Sequence, residues 1–419
     1  MLEEDMQLIR LSKQEFEAAC KKHPQYNFMQ SIYNADRREK KGVIPHFVGL
    51  VNQDEILACA YLSQTKTLRF FSYFECMLGP MLDYHNKEVM DVFFHELTMY
   101  IKKHKGIYFL FNPNIIAIER DENAEIVKGG IDHRHIRQRL ISLGFRWLEN
   151  INENPLYTTW YFIKDLSSIQ NQEQLMDSFS AKTRYNIRKA MESNIQVVEM
   201  TYDELHEFEK ILEITANKRN IEAQNLQYLQ QFYNSSVTSK HAFFLKAQLD
   251  VVDTINKLQE KLDENIDELE TVIAESNNLL SKKKKSKINA YKEVIDAYQT
   301  RIEQLKQEEQ KVIVTSAALF LMTENEMNYF VSGSNEKYNK FFSPYLIQYE
   351  AMKRAIELNI PTYNFYSTNG NFNNKPEQEG VYRFKKGFTG VIQEKIGFFD
   401  LVINKPIYNI IQQLKKLKP

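Results

Sequence analysis

The segment from Val251 to Lys311 constrains the fold most, because it contains neither Gly nor Pro and carries a regular apolar pattern. In the first half, Ile255, Leu258, Leu262, Leu269 and Val272 fall at alternating steps of three and four, with Asn265 at the intervening position. In the second half the same spacing continues without a break: Ile288, Tyr291, Ile295, Tyr298, Ile302 and Leu305. Such a stripe with charged flanks is typical of a coiled coil. The polar run 277–287 between the halves suits a chain reversal. The sequence therefore predicts an antiparallel coiled-coil hairpin with arms about 40 Å long, at ~1.5 Å per residue.

On both sides of this hairpin, short apolar stretches alternate with amphipathic ones, as in an α/β fold. The pattern predicts a helix over Lys87–Lys103 and a strand over Gly106–Phe111. A strand at 241–246 enters the hairpin and a strand at 312–321 leaves it. The hairpin is therefore predicted to be an insertion between two paired strands. The two halves of the chain share a similar order of elements, which suggests a duplicated unit.

Length, charge and cysteine content exclude several classes of protein. The 419 residues are enough for two or three domains. No apolar run reaches the roughly 18 residues of a membrane span, and the acidic N-terminus lacks a secretory pattern, so the sequence predicts a cytoplasmic protein. The net charge of −1 gives no overall attraction to nucleic acid, so phosphate binding would need local basic clusters. Cys20, Cys59 and Cys76 suit neither a disulfide framework nor a zinc site.

The sequence carries little conventional catalytic apparatus. It has no glycine motif that would cradle a phosphate and no nucleophile elbow. His133 and His135 have no acidic or cysteine partner at metal-site spacing, so neither a metal nor a cofactor is predicted. A reaction would have to start from an activated substrate and rest on positioning and charge stabilisation.

The C-terminal region carries the most specific pattern, in four segments: Tyr363–Gly370, Glu379–Phe388, Glu394–Asp400 and Asn404–Tyr408. This pattern resembles the Fem family of non-ribosomal peptidyltransferases, and is closest to its glycyl-adding FemA and FemB branch. The resemblance extends over nearly the whole chain, through these residues: Gln30, Ser31, Gly79, Pro80, Asp83, Tyr84, Arg184, Asn186, Lys189 and 332–335. The inserted hairpin is also characteristic of members of this family.

The resemblance implies an α/β fold of two GNAT-like (acyltransferase) domains with an inserted antiparallel coiled-coil helical hairpin. We expect the first domain at 1–150 and the second at 151–246 together with 314–419, its C-terminal segment packing back on the first. The arm is expected at 247–313.

The resemblance also implies an activity, in which an amino acid moves from aminoacyl-tRNA to an amine of a peptidoglycan precursor. The acceptor would be the stem peptide or growing interpeptide bridge of lipid II or of a UDP-MurNAc-peptide. Glycine is the expected amino acid, with serine and alanine open. Further expectations are association with the inner face of the membrane and a homodimer or heterodimer with related Fem proteins.

Lys385 matches the family lysine that follows a phenylalanine, here Phe384. The resemblance implies that Lys385 and the backbone N–H near Phe384 stabilise negative charge during transfer. The alternative is that Lys385 or Lys386 solvates the end of a strand.

Arg38 and Arg219 are the expected acceptor-binding arginines, since arginine binds phosphate in a bidentate manner. A solvated basic helix is the alternative for Arg38, and Gln224 stands where the family has a further arginine. The resemblance adds three candidate substrate-binding tyrosines: Tyr228, Tyr366 and Tyr382.

A lysine run at the predicted hairpin tip is the candidate tRNA contact: Lys282, Lys283, Lys284, Lys285 and Lys287. The alternative is that these lysines only keep the hairpin soluble. The basic C-terminus, 415–418, could contact anionic lipid or be a frayed tail.

Two positions depart from the family pattern. Leu78 stands where arginine is usual, and Asn112 replaces the aspartate of an Asp-Pro motif. An arginine–aspartate pair lost jointly would leave no unpaired buried charge. These departures leave room for a non-catalytic RNA- or partner-binding scaffold. Nothing in the sequence separates a bridge-building enzyme from an immunity or resistance enzyme that inserts serine into bridges.

Overall fold

A computed structural model describes residues 6–67, 70–149, 158–275, 281–368 and 376–416. Its strands in chain order are β1 (Met6–Arg10), β2 (Ile44–Asn52), β3 (Glu55–Thr67), β4 (Phe71–Met77), β5 (Met81–Leu82), β6 (Gly106–Asn112), β7 (Ile116–Arg120), β8 (Arg146–Leu148), β9 (Trp160–Asp165), β10 (Gln196–Glu199), β11 (Ala242–Asp250), β12 (Val312–Met322), β13 (Glu326–Ser334), β14 (Thr362–Ser367), β15 (Val391–Lys395) and β16 (Phe398–Val402). Its α-helices are α1 (Lys13–Lys21), α2 (Ile32–Glu39), α3 (Lys87–Lys103), α4 (Arg134–Ser142), α5 (Gln172–Asp177), α6 (Ala181–Glu192), α7 (Leu205–Arg219), α8 (Leu226–Phe232), α9 (Val251–Ala274), α10 (Lys282–Lys306), α11 (Ser343–Glu357), α12 (Pro376–Lys386) and α13 (Lys405–Lys416). No helix in these ranges has an apolar stretch long enough to cross a membrane.

The first sheet has the strand order β1-β2-β3-β4-β6-β16-β8, with β5 beside β3. The predicted helix over Lys87–Lys103 is confirmed as α3, whose first turn is capped by Asn86. Buried residues at four-residue spacing, Val89, Phe93, Leu97 and Ile101, form one face of α3. That face packs into the core of the first sheet, because the packing removes apolar side chains of both the helix and the sheet from water.

The second sheet has the order β10-β11-β12-β13-β14-β9-β15-β7. Two strands cross between the halves of the chain. Strand β7, from the first half, pairs with β15 at the edge of the second sheet, while β16, near the C-terminus, pairs with β6 and β8 in the first. The two sheets are therefore joined by the backbone itself, and the expected domain boundaries remain a prediction.

Helices α9 and α10 form the predicted hairpin between β11 and β12, which pair antiparallel. Its base is closed by a hydrogen bond from the N–H of Val251 to the carbonyl of Lys311, at 2.9 Å. The stripe positions nearest the base, which include Leu258 and Leu305, are buried in the core of the second sheet. Part of the predicted reversal, 276–280, lies outside the described residues.

Replacing Leu258 with alanine tests this docking. The Leu258 side chain is 0% exposed. The substitution should lower the free energy of unfolding by about 2–5 kcal/mol, because it leaves a cavity in a packed core. Ile273→Ala in the same helix is the matched control, since Ile273 is 51% exposed and should change stability by less than about 0.5 kcal/mol. Urea unfolding measures both values, and equal effects would contradict a docked hairpin.

Candidate active site

Among the described residues each sheet has one parallel strand pair, and the two pairs differ in length. In the first sheet, β4 and β6 stay paired from Ser72–Gly106 to Met77–Asn112. In the second, β13 and β14 pair only from Glu326–Thr362 to Asn328–Asn364, although both strands continue. The strands of the second sheet therefore separate toward their carboxyl ends. Ligands of α/β sheets bind in such crevices, so this opening is the candidate site.

A bulge in β14 shapes the mouth of this crevice. The register between β14 and β9 shifts between Asn364 and Ser367. Tyr366, inside the bulge, has a φ of 62°, and its N–H donates to Oδ1 of Asn364 at 2.8 Å. A left-handed tyrosine is a strained conformation of the kind found at functional sites. The Ser367 carbonyl beyond the bulge accepts a hydrogen bond from Nζ of Lys385 at 2.6 Å.

Lys385 lies in the last turn of α12 and is only 5% exposed. Burial, and the positive charge of Arg219, lower the pKa of Lys385 from 10.5 to about 7. No carboxylate within 4.0 Å pairs with Lys385 in the described residues. The alternative of a solvated strand end is therefore wrong for Lys385, which is a buried helical lysine able to donate to a new acceptor.

Phe384 supports this lysine through packing. Its ring meets Tyr345 edge to face, with centroids 4.8 Å apart, and lies 5.3 Å from Phe388. Phe384 occupies an interior helical position, where backbone N–H groups bond to the preceding turn. The predicted use of this N–H in charge stabilisation would require that helical bond to open.

Arg219 is brought to the same crevice. It is the last residue of α7 and is exposed. Its positive charge acts on the pKa of both Lys385 and Tyr329, and Tyr329 lies on β13 just where the strands separate. An anion entering the crevice would therefore meet two cations.

A second basic cluster lies on α2, beside the second half of the chain. Arg38 is held by Glu75 at 2.9 Å, so the predicted phosphate ligand already has a carboxylate partner. Arg37 stacks at 4.5 Å over Phe232, and its buried Nε has no hydrogen-bond partner. Burial and the charges of Arg37 and Arg38 lower the pKa of Lys41. Sequence reasoning missed Arg37, because adjacency on a helix does not show which arginine faces a distant element.

Two of the three predicted tyrosines connect the cluster to the crevice. Tyr228 interacts electrostatically with Arg37 and with Tyr366, whose pKa is raised by burial and by Tyr228. The Tyr366 ring also contacts Phe330 of β13, with centroids 5.1 Å apart. Tyr382 differs, because its hydroxyl donates to the carbonyl of Glu122 in the loop after β7. Tyr382 therefore ties α12 to the first half of the chain.

The tip lysines lie at the opposite end of α10 from the sheets. Lys282, Lys283, Lys285 and Lys287 are exposed. Lys284 is half-buried, and its Nζ donates to the carbonyl of Glu275 at 2.7 Å. The structure therefore separates these lysines from the crevice by about the length of the arm, on the order of 40 Å.

Leu78 and Asn112, the two residues that depart from the expected pattern, are in direct contact. The N–H of Leu78 donates to Oδ1 of Asn112 at 2.8 Å. The Leu78 side chain packs with Tyr161, Ile163 and Tyr366 of the second sheet. A neutral amide is sufficient for this backbone hydrogen bond, and leucine suits the apolar contact between the halves.

Comparisons with known proteins agree with this architecture. The model of the FemAB family matches residues 11–416. The chain is 27% identical to aminoacyltransferase FemA of Staphylococcus epidermidis, over 99% of this chain and 100% of that protein. It is 26% identical to aminoacyltransferase FemA of Staphylococcus aureus, over 99% of both chains. The crystal structure of FemX superposes with a TM-score of 0.74 at 22% identity, covering 97% of this chain and 99% of FemX. The predicted α/β fold class, with an inserted helical hairpin, is confirmed.

Lys385 should make stability depend on pH. Below about pH 7 the lysine is protonated in the folded and unfolded states, so the cost of burying its charge is fully present; above about pH 10.5 it is neutral in both, and the cost is gone. Lys385→Met should therefore raise the melting temperature more at about pH 6.5 than at about pH 9. Lys386→Met is the control, and scanning fluorimetry measures both. An equal shift at the two pH values would contradict a buried lysine that has no carboxylate partner.

Proposed function

Because the chain belongs to the FemAB family, we propose that it is an aminoacyltransferase that moves an amino acid from aminoacyl-tRNA to an amine of a peptidoglycan precursor. Relatives named aminoacyltransferase FemA support this reaction class. Glycine is the proposed amino acid, with serine or alanine as alternatives. The acceptor is the stem peptide or interpeptide bridge of lipid II or a UDP-MurNAc-peptide.

The observation that carries the proposal is the buried amino group of Lys385, which donates to the carbonyl of Ser367 at the mouth of the separated strands. An aminoacyl ester is already activated, so an uncharged acceptor amine can attack its carbonyl carbon. The carbonyl oxygen then gains negative charge, and Nζ of Lys385 donates to it. Collapse of this intermediate forms the amide bond, releases the 3′-terminal ribose hydroxyl of the tRNA, and passes the proton of the amine to that leaving oxygen. A preorganised charge in a dry site stabilises this step more than it would in water.

Arg37, Arg38 and Lys41 form the proposed binding site for the acceptor diphosphate, together with Arg219 across the crevice. The buried Nε of Arg37 has no hydrogen-bond partner in the described residues, and burial together with the positive charges of Arg37 and Arg38 lowers the pKa of Lys41. A diphosphate would relieve that repulsion. Tyr228 and Tyr366 lie between the cluster and Lys385, where the peptide of the acceptor would pass.

The tip lysines are the proposed tRNA contact. Lys282–Lys285 form the first turn of α10 and Lys287 lies in the next turn, whereas the second half of α9 carries acidic side chains that would repel RNA: Glu264, Asp267, Glu268 and Glu270. The RNA would therefore approach along α10. Membrane-surface association and dimerisation remain part of the proposal, and the C-terminal lysines predicted to contact lipid lie outside the described side chains.

Lys385→Met should lower transfer by at least ~10²-fold, because the variant cannot donate to the developing oxyanion. The assay follows radiolabelled amino acid from charged tRNA to the acceptor. Lys386→Met, one position along the same helix, should transfer within about threefold of the parent. Binding of the acceptor should be unchanged in both variants. Near-normal transfer by a folded Lys385→Met protein would refute the assignment.

Replacing Lys282, Lys283, Lys285 and Lys287 with serine tests the arm. We expect KM for aminoacyl-tRNA to rise and the slope of its logarithm against log salt concentration to fall by up to about 3, because each phosphate contact contributes roughly 0.7–0.9. The kcat at saturating tRNA should be unchanged, since the crevice is distant. An unaltered salt slope would mean that these lysines only solubilise the hairpin.

A further inference from the structure

A cavity of about 310 Å³ lies between the two halves of the chain, at the paired start of β13 and β14 rather than at their separated ends. Its polar lining comes from both halves: Gln25, Asn114 and His133 from the first, and Glu326, Gln393 and Lys395 from the second. None of these residues takes part in the transfer site described above. The volume is at the lower end of the range for ligand pockets, so it suits a small molecule.

Lys395 and Glu326 give this cavity one charge of each sign. Nζ of Lys395 donates to Oε1 of Gln393 at 2.9 Å. Oε2 of Glu326 accepts from Nδ2 of Asn364 at 3.1 Å. Burial lowers the pKa of Lys395 to about 8, and Glu326 acts against that shift. No ion pair within 4.0 Å joins Lys395 and Glu326 in the described part of the chain, so the two charges interact only at longer range.

We propose that this cavity binds a small zwitterion, of the size of a free α-amino acid, with its carboxylate on Lys395 and its ammonium on Glu326. Separated opposite charges repel a simple anion or cation at one end and attract a zwitterion at both. Each contact would be a charge-assisted hydrogen bond in a partly buried site, where such bonds are strong. The side-chain amides of Gln25 and Asn114 also line the cavity, where they bond to the backbone of Leu82 and of Gln25.

The bound zwitterion would stabilise the contact between the halves. The side-chain nitrogen of Asn325, at the cavity wall, already donates across this contact to the carbonyls of His23 at 3.0 Å and Tyr26 at 3.3 Å. The cavity reaches the surface at the exposed Pro24, which gives a ligand a route of entry. On the other side, burial and, to a smaller extent, the charge of Glu326 raise the pKa of Tyr161 and Tyr366.

Calorimetry of the full chain, without tRNA or acceptor, tests the proposal with glycine, L-alanine and L-serine. At least one of them should bind with one-site stoichiometry, and acetate and methylamine, which carry one charge each, should bind at least about tenfold more weakly. Lys395→Met and Glu326→Gln should each weaken zwitterion binding at least about tenfold.

Two controls separate this site from the others. Lys164→Met removes another buried lysine with a pKa lowered to about 8, which contacts Thr389 outside the cavity, and should keep binding intact. Lys385→Met should also keep binding, because it alters only the crevice. No zwitterion binding to folded protein, binding unaffected by both cavity substitutions, or binding lost only in Lys385→Met would each overturn the proposal. None of these results depends on transfer activity, so the transferase proposal is judged separately.

Discussion

The hydrogen bond from Lys385 to the carbonyl of Ser367 is the interaction on which the proposed site depends. Burying an ammonium group costs free energy unless it is paired or hydrogen-bonded, and here a single backbone carbonyl is the described partner. The bulge in β14 and the close packing of α12 against α6 hold the lysine in place. The bulge at Tyr366 sets the position of Ser367, and the carbonyl of Gly387, just after α12, accepts from the N–H of Ser180 at 3.0 Å. A side chain at Gly387 would meet Oγ1 of Thr183 at 2.3 Å, so glycine permits α12 to approach α6 closely.

The two sheets contribute differently to the proposed site, because β4 and β6 stay paired to their carboxyl ends whereas β13 and β14 separate. The closed pair of β4 and β6 makes the first sheet a continuous surface, against which α2 and its arginines are fixed. The open pair of β13 and β14 supplies the crevice, and α12 supplies Lys385, which bonds to Ser367 of β14. The exchange of β7 and β16 between sheets, and the apolar contact of Leu78 with Tyr366, fix one relative to the other. A transfer reaction that relies on positioning needs this fixed relation, since small displacements of bound reactants are costly.

The sequence predicted the features that local periodicity determines. The hairpin follows from a long stretch without Gly or Pro, and α3 follows from the amphipathic pattern of Lys87–Lys103. The helix at Pro376–Lys386 was not predicted, because its motif is read as a family pattern rather than as an apolar stripe. The strand exchange, the separation of β13 from β14 and the cavity at Lys395 all depend on residues far apart in the chain. Local pattern carries no signal for such contacts.

For the candidate site, family resemblance indicated Lys385 and Arg219, and the structure places both beside one crevice. The resemblance could not show whether Arg37 or Arg38 faces the second half of the chain, since that depends on the position of Phe232, nearly two hundred residues later. Nor could it show that Leu78 and Asn112 share a hydrogen bond. Sequence reasoning thus identified residue types for the chemistry, whereas geometry determined which of them face one another.

A crystal structure with a stable analogue of the donor, an aminoacyl group joined by an amide to a 3′-terminal adenosine, tests the central claim most directly. We expect the analogue between β13 and β14, with its carbonyl oxygen about 3 Å from Nζ of Lys385. An analogue bound on the first sheet, or one whose carbonyl lies beyond hydrogen-bonding reach of Lys385, would contradict it.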